Sequence, residues 1–205
     1  ANMAYRAILE MIMDRRIPSG SVIVEDRLAQ ALSISRTPIR EALVRLESEG
    51  LLRKESSRPY RVREVSHREY FQSMRLREIL EGEAIALAIE RIDRARLEQV
   101  KAEMLRLQAE TKVQVEDHWA ADEDLHTMIA DASGNGVMAQ MIRDLRVTTR
   151  MFELSGLPSR IRPDCDEHLA ILAALENANV AEARAAMESH IRSLATDVLN
   201  EIGKV

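Results

Sequence analysis

Three of the five histidines in this 205-residue chain, with one aspartate, have the types and spacing of metal ligands. Asp122 and His126 are four residues apart, which puts them on one face of a helix. His168 and His190 are equidistant from residue 179, inside the short polar stretch Asn177-Ala178-Asn179. In an antiparallel helix hairpin turning there, residues equidistant from the turn sit side by side. If the helix of Asp122 packs on that hairpin, all four side chains converge. Three imidazoles and a carboxylate suit a divalent transition metal: zinc first, nickel or manganese as alternatives. An ion that prefers five or six ligands then keeps positions for water or a ligand oxygen. Ligation needs neutral imidazole, so binding should weaken below the ordinary histidine pKa of about 6.5. His118 lies further round the same helix and ranks as a spare. His67 sits beside a helix cap and reads as structural or exposed.

A second set of residues fits different chemistry. The stretch from Glu25 to Leu52 reads as two short helices joined by the turn Leu32-Ser33-Ile34-Ser35. On the second helix Ile39, Leu43 and Leu46 form an apolar stripe, leaving Arg36, Arg40 and Arg45 to face outward with Thr37. Guanidinium forks bind guanine O6 and N7 together, or grip a phosphate. This is the layout of a helix-turn-helix with its second helix in a DNA major groove. The plainer alternative is a solvated face paired with Glu41, Glu47 and Glu49. Pro38 suits a first helical turn, and Ser35 or Thr37 can cap it. Past Gly50, a helix stop, the residues Leu51 to Arg63 read as a two-stranded ribbon with a basic tip, where Arg58 and Arg61 can reach DNA.

The rest of the chain must position the histidines. Ser66-His67-Arg68-Glu69 is a capping box opening a long helix through Leu76, Ile79, Leu80, Ala84, Leu87 and Ala88. A second helix starts at Asp93, and a third runs from about Asp117 to Ala132. Ser133-Gly134-Asn135-Gly136 is a break. A fourth helix follows through Met141, Leu145, Thr148 and Phe152. The fifth spans roughly Asp164 to Glu176, and the sixth runs from an Asn179 cap to about Asn200. Short connections make this an antiparallel bundle. The expected fold is mainly α: an N-terminal winged helix-turn-helix with a small β wing over residues 1–65, and an all-α bundle over 66–205.

The net charge of −5 is unevenly divided: residues 1–66 hold 12 Lys and Arg against 9 Asp and Glu, residues 67–205 hold 17 against 25. A mildly basic head on an acidic body argues for DNA contact by the head alone. Aromatic content of 3% excludes a stacking platform for single strands. No apolar run reaches the ~20 residues of a membrane span, and no signal peptide is visible. The single Cys165 allows no internal disulfide, so a cytoplasmic location is expected. Ala1-Asn2 before Met3 reads as a cloning remnant.

Residues 5–65 resemble the winged-helix domain of the GntR family of bacterial transcription regulators. The resemblance lies in Ser35-Arg36-Thr37-Pro38-Ile39-Arg40-Glu41-Ala42-Leu43, then Arg45-Leu46-Glu47 and Glu49-Gly50-Leu51, with the lead-in from Pro18 through Gly20 to Glu25. It implies operator contacts by Arg36, Thr37, Arg40 and Arg45, with Arg58 added at the wing. Ser33 and Pro59 depart from the pattern, at a turn and a wing tip where glycine is usual. Residues 70–198 resemble the FCD effector domain of the FadR branch, in its six-helix form. The motifs are Arg77-x-x-x-Glu81, Asp122-x-x-x-His126, Ser133-Gly134-Asn135, Glu167-His168 and Met187-x-x-His190, with Leu125 where phenylalanine is usual. This resemblance implies metal ligation by Asp122, His126, His168 and His190, and a small organic acid bound at or beside the metal. An anionic effector needs a cation. Arg77 comes first, from its place in the motif, then Arg146 and Arg150.

The expected function is a homodimeric transcription regulator, a repressor, whose operator affinity a small carboxylate controls. Two alternatives come with it. One is a metal-dependent hydrolase or oxygenase using the His₃Asp site, with Glu123 or Asp124 as base. The other is a metal-sensing regulator with no organic effector.

Overall fold

The computed structural model describes residues 2–54, 59–110, 113–153 and 160–203. Among them are nine α-helices and one two-stranded antiparallel sheet: α1 (Asn2–Met13), α2 (Glu25–Leu32), α3 (Arg36–Ser48), β1 (Leu52–Arg53), β2 (Arg61–Val62), α4 (His67–Ala88), α5 (Arg94–Ala109), α6 (Val115–Ala132), α7 (Gly136–Glu153), α8 (Ile161–Glu176) and α9 (Val180–Ile202). The described residues form two compact units, 2–70 with 146–153, and 71–145 with 160–203.

In the first unit α1 and α2 pack on α3. Ala4, Ile8 and Ile12, at helical spacing on α1, and Ile39, Leu43 and Leu46 on α3 are fully buried. The α1 helix is a finding of the structure; the sequence reading assigned it no element. Ser33 ends α2 with φ +55°, the left-handed conformation that favours glycine. A serine here is under strain but still serves the turn: its N–H and that of Ile34 reach back to Gln30 and Ala29 carbonyls. Ser35 holds the N-cap position of α3 with no side-chain hydrogen bond, and Thr37 lies inside the helix, so the expected side-chain cap is not formed. Gly50, at φ +75°, turns the chain into the wing. There Leu52 pairs with Val62 and Arg53 with Arg61. Residues 146–153 join this unit because Tyr70, fully buried, stacks on Phe152 with centroids 4.4 Å apart and donates to Glu153 at 2.7 Å.

The second unit is a helix bundle with α8 packed against α9, α5 and α6. Four helices start on side-chain caps, α7 among them, where Asn135 Oδ1 accepts from Met138 N–H. Ser66 Oγ accepts from Glu69 N–H, Asp93 Oδ1 from Ala95 N–H, and Asn179 Oδ1 from Glu182 N–H. Gly134 is required at the α6–α7 corner: φ is +72°, and a Cβ there would lie 1.9 Å from Arg91 Nη1, which donates to the Ser133 carbonyl. The α8 helix begins before Pro163 instead of after it, since a first-turn N–H has no intrahelical partner to lose.

The largest departure from the sequence reading is the face that α4 buries. Leu76, Ile79 and Leu87 are 46%, 50% and 38% exposed. The buried stripe is Met74, Arg77, Glu81, Ala84, Ile85 and Ala88, which has the same helical spacing but carries an ion pair through its middle. Met141 on α7 is likewise exposed, and Ile142 beside it is buried. Apolar periodicity picks the wrong face where a helix turns polar groups inward.

Candidate functional site

The α6 helix carries Asp122 and His126 one turn apart, and the α8–α9 hairpin brings His168 against His190. One ligand atom from each of the four lies within 4.8 Å of all the others. His168 Nε2 and His190 Nε2 are 3.3 Å apart. Asp122 Oδ1 is 3.4 Å from His126 Nε2 and 3.5 Å from His168 Nε2. The three imidazoles are buried, and Asp122 is half-buried.

Two of the three rings are oriented from behind. His190 Nδ1 donates to Glu167 Oε2 at 2.8 Å, and His126 Nδ1 donates to Glu81 Oε2. A proton held on Nδ1 leaves the Nε2 lone pair facing the cluster, as ligation needs. Each carboxylate is in turn held by a buried arginine. Arg77 Nε donates to Glu81 Oε1 at 2.7 Å, and Arg160 Nη2 donates to Glu167 Oε2. Arg160 also reaches Asp164 at 2.8 Å, Asp197 at 2.7 Å and Ser193 Oγ at 2.9 Å. The result is two arginine–glutamate–histidine relays converging on one point. His168 has no such anchor: its Nδ1 is buried with no hydrogen-bond partner among the described residues.

Burial keeps His168 and His190 neutral. It pushes His190 down to about 4, although the Glu167 carboxylate pulls the other way. It holds His168 well below its ordinary value, helped by the neighbouring His190. Desolvation raises Glu167, but hydrogen bonds from His190 and Ser193 and the charge of Arg160 outweigh it, and the net shift is downward. Asp164 goes the other way, raised by burial to about 7 against the charge of Arg160. The donor set therefore fits a divalent ion: three imidazole nitrogens and one carboxylate oxygen, facing one another with two of the rings fixed. His118 is buried, with Nε2 3.5 Å from Asp164 Oδ2, and stands outside the four-donor set.

Glu81, Glu167 and Arg160 were given no role by the sequence reading. The four-residue spacings Arg77–Glu81 and Arg160–Asp164 are a visible signal of ion pairing, but nothing local ties Glu81 to His126, 45 residues away. Arg77 is buried and engaged with Glu81. Arg146 and Arg150 lie on α7 in the first unit, Arg146 buried and Arg150 close enough to Tyr5 to influence its titration.

On the head, Arg36, Thr37, Arg40 and Arg45 are exposed on α3, opposite the buried Ile39, Ala42, Leu43 and Leu46. Arg36 Nε lies 2.6 Å from Asp26 Oδ1 and Arg40 Nε 2.7 Å from Glu25 Oε2, both carboxylates opening α2. Arg45 pairs with Glu49 at 2.9 Å and lies over the Tyr5 ring, 3.8 Å from its centre. Arg36 and Arg40 thus share the N-terminal end of the helix, and Arg45 folds back on α1. Arg58 lies outside the described residues.

Residues 1–62 match the family described as bacterial regulatory proteins, gntR family, and residues 72–193 match the FCD domain. Among relatives, the chain is 31% identical over 193 residues to the Uxu operon regulator of Haemophilus influenzae, covering 83% of this chain and 70% of that one. It is 29% identical over 163 residues to the HTH-type transcriptional regulator McbR of Escherichia coli, covering 77% and 73%. The solved structure of E. coli McbR/YncC superposes with a TM-score of 0.77 at 23% identity, over 98% of this chain and 97% of that one, a likeness of fold.

Proposed function

Since the chain belongs to the GntR family of bacterial regulatory proteins and carries an FCD domain, it is a DNA-binding transcription regulator and not an enzyme, and we propose that a divalent metal and a small organic acid set its operator affinity. The convergence of four donors with two of their rings held by buried relays carries this reading. Asp122, His126, His168 and His190 would hold the ion: zinc first, nickel or manganese next. The bound ion would supply a Lewis-acid position for a carboxylate oxygen. Of the three arginines expected beside an acid, Arg77 lies in the same unit as the four donors and would share its charge with it.

The head would work as half of a homodimeric repressor, reading half-sites about one helical turn apart through Arg36, Thr37 and Arg40. The exposed Leu76 and Ile79 on α4 offer an apolar strip for a second copy to cover. Linkage requires the acid to bind the DNA-competent and DNA-incompetent states unequally. One observation favours a second reading, a regulator that answers to metal alone: Arg77 already has a carboxylate partner in Glu81 at 2.7 Å.

The deciding measurement is metal analysis of untagged protein, wild type beside His168→Ala. About one ion per chain, lost in the variant, is expected. No metal after reconstitution at neutral pH sinks the metal site and leaves the DNA-binding head standing. With metal loaded, duplex affinity that ignores every organic acid tried but follows metal content selects the second reading.

A further inference from the structure

One helical turn from Asp122 and His168, α6 and α8 make a second pairing that the four-donor set does not use. His118 and Asp122 are four residues apart on α6, and Asp164 and His168 are four apart on α8. The two helices step together: His118 Nε2 lies 3.5 Å from Asp164 Oδ2, and Asp122 Oδ1 lies 3.5 Å from His168 Nε2. Four residues of helix rise about 6 Å, so these are two rungs of one ladder about that far apart.

The rung of His118 is incomplete. At 3.5 Å the ring nitrogen and the carboxyl oxygen face each other without a hydrogen bond. His118 is 5% exposed, and its Nε2 has no hydrogen-bond partner among the described residues. Buried polar atoms are nearly all hydrogen-bonded, so an orphan here is a place kept for another group. Asp164 is held ready for the same group, since Arg160 Nε donates to its Oδ1 at 2.8 Å and leaves Oδ2 facing His118. Of the four side chains on the two rungs, Asp122 reaches solvent most, which gives a ligand its way in.

Charge selects the kind of group. Burial holds the His118 pKa down, and the charges of Asp122 and Arg160 then act on it in opposite senses. A carboxylate placed there would meet Asp164, Glu167 and Asp197, which share the guanidinium of Arg160. An ammonium group would meet that guanidinium instead. A neutral hydroxyl suits the spot. It donates to one partner and accepts from the other, so it satisfies both whichever of them holds the proton.

We propose that His118 and Asp164 receive a hydroxyl of the acid whose carboxylate binds at the metal. The inference rests on the metal and acid reading above, and it names the effector class as a hydroxy acid. Four or five covalent bonds span about 5–6 Å, which puts the hydroxyl on the third or fourth carbon.

The test titrates the zinc-loaded full chain with butanoate, 3-hydroxybutanoate, 4-hydroxybutanoate, 4-aminobutanoate and succinate. The signal is fluorescence of Trp119, the single tryptophan, which follows His118 in the chain. Wild type is compared with His118→Phe, which keeps a ring without nitrogens, and His118→Gln, which keeps a donor. Zinc content is measured on each. One hydroxybutanoate should bind wild type about tenfold tighter than butanoate does, the scale of one hydrogen bond. His118→Phe should lose that preference and His118→Gln keep part of it. Equal affinity for plain and hydroxy acids, or a preference for the amine or the dicarboxylate, overturns the proposal. So does a hydroxyl preference that survives in His118→Phe. In each of those outcomes zinc loads and acids bind. Zinc that does not load, or acids that do not bind at all, defeats the underlying reading and this inference with it. The comparison among acids on wild type decides the matter even where a variant fails to fold.

Discussion

On α3 the guanidinium groups of Arg36 and Arg40 pair with Asp26 and Glu25 while 62% and 63% exposed. In the bundle Arg77 and Arg160 make the same kind of pair while 4% and 8% exposed. The distances are alike, 2.6 and 2.7 Å against 2.7 and 2.8 Å, so the surroundings make the difference. In water the attraction is screened and the side chains stay free to exchange partners. A phosphate or a base edge can therefore replace the carboxylate at little cost. In the buried setting, removing one partner strands the other charge, and the geometry is locked. The head keeps its arginines available and the bundle uses them to hold something else in place.

The sharpest way to break this contrast is to delete one guanidinium from each setting. Arg160 faces Asp164, Glu167 and Asp197 at once. Arg160→Leu should destabilise the protein by about 3 kcal/mol, the scale of an uncompensated buried charge. The partly exposed Glu167 and Asp197 place it at the lower end of that range. Arg36→Leu should leave the urea midpoint nearly unchanged. Equal losses in the two variants would mean that burial does not separate these pairs.

A second test uses protons on metal-stripped protein. His190 titrates at about 4 when folded, because burial outweighs the pull of Glu167, and at about 6.5 when unfolded. As pH falls below 6.5 the unfolded chain takes up a proton that the folded one refuses. The stabilisation, complete above 6.5, is lost toward pH 4 and amounts to about 3 kcal/mol. His168, held well below its ordinary value by burial, acts in the same direction. Asp164 opposes them. With burial raising it to about 7, the folded chain keeps a proton that the unfolded chain gives up above its ordinary value near 4. Its contribution is complete in acid and fades as pH rises through 7. The wild type should therefore lose stability only gently between pH 7 and 4. Asp164→Asn, which removes the opposing group, should lose it more steeply. Parallel urea midpoints for the two would show Asp164 ionised throughout, with the buried network fully charged.

The two regions were unequally legible from sequence. The α3 arginines could be read because one short helix carries both the apolar stripe and its opposite face. Asp122 and His126 could be read from four-residue spacing, and His168 with His190 from their symmetry about a three-residue connector. The relays behind them could not. Their carboxylate–histidine contacts join residues 45 and 23 positions apart, and the stripe expected on α4 includes Leu76, Ile79 and Leu87, which in fact point outward, although its Ala84 and Ala88 are buried. A helix that delivers Glu81 to a buried imidazole breaks the apolar rule at that residue. The stacking of Tyr70 on Phe152, which groups residues 146–153 with the head, likewise has no local signature.

The smallest expected effect tests the exposed side of the contrast most directly. If the Glu25–Arg40 pair is exchangeable, Glu25 is a competitor for the arginine that DNA must displace. Glu25→Gln should then tighten binding to a random duplex by roughly two- to fivefold at low salt, the range an exposed pair spans, with no change in melting temperature. The gain should fade as added salt screens the pair it removes. Glu25 is itself only 31% exposed, which leaves a definite opposite outcome. Weaker binding by Glu25→Gln would mean that the carboxylate holds the Arg40 fork toward its target, as Glu81 holds His126. The head would then be built on the same plan as the bundle, an acidic residue positioning a ligand for something else, and exposure alone would not tell the two regions apart.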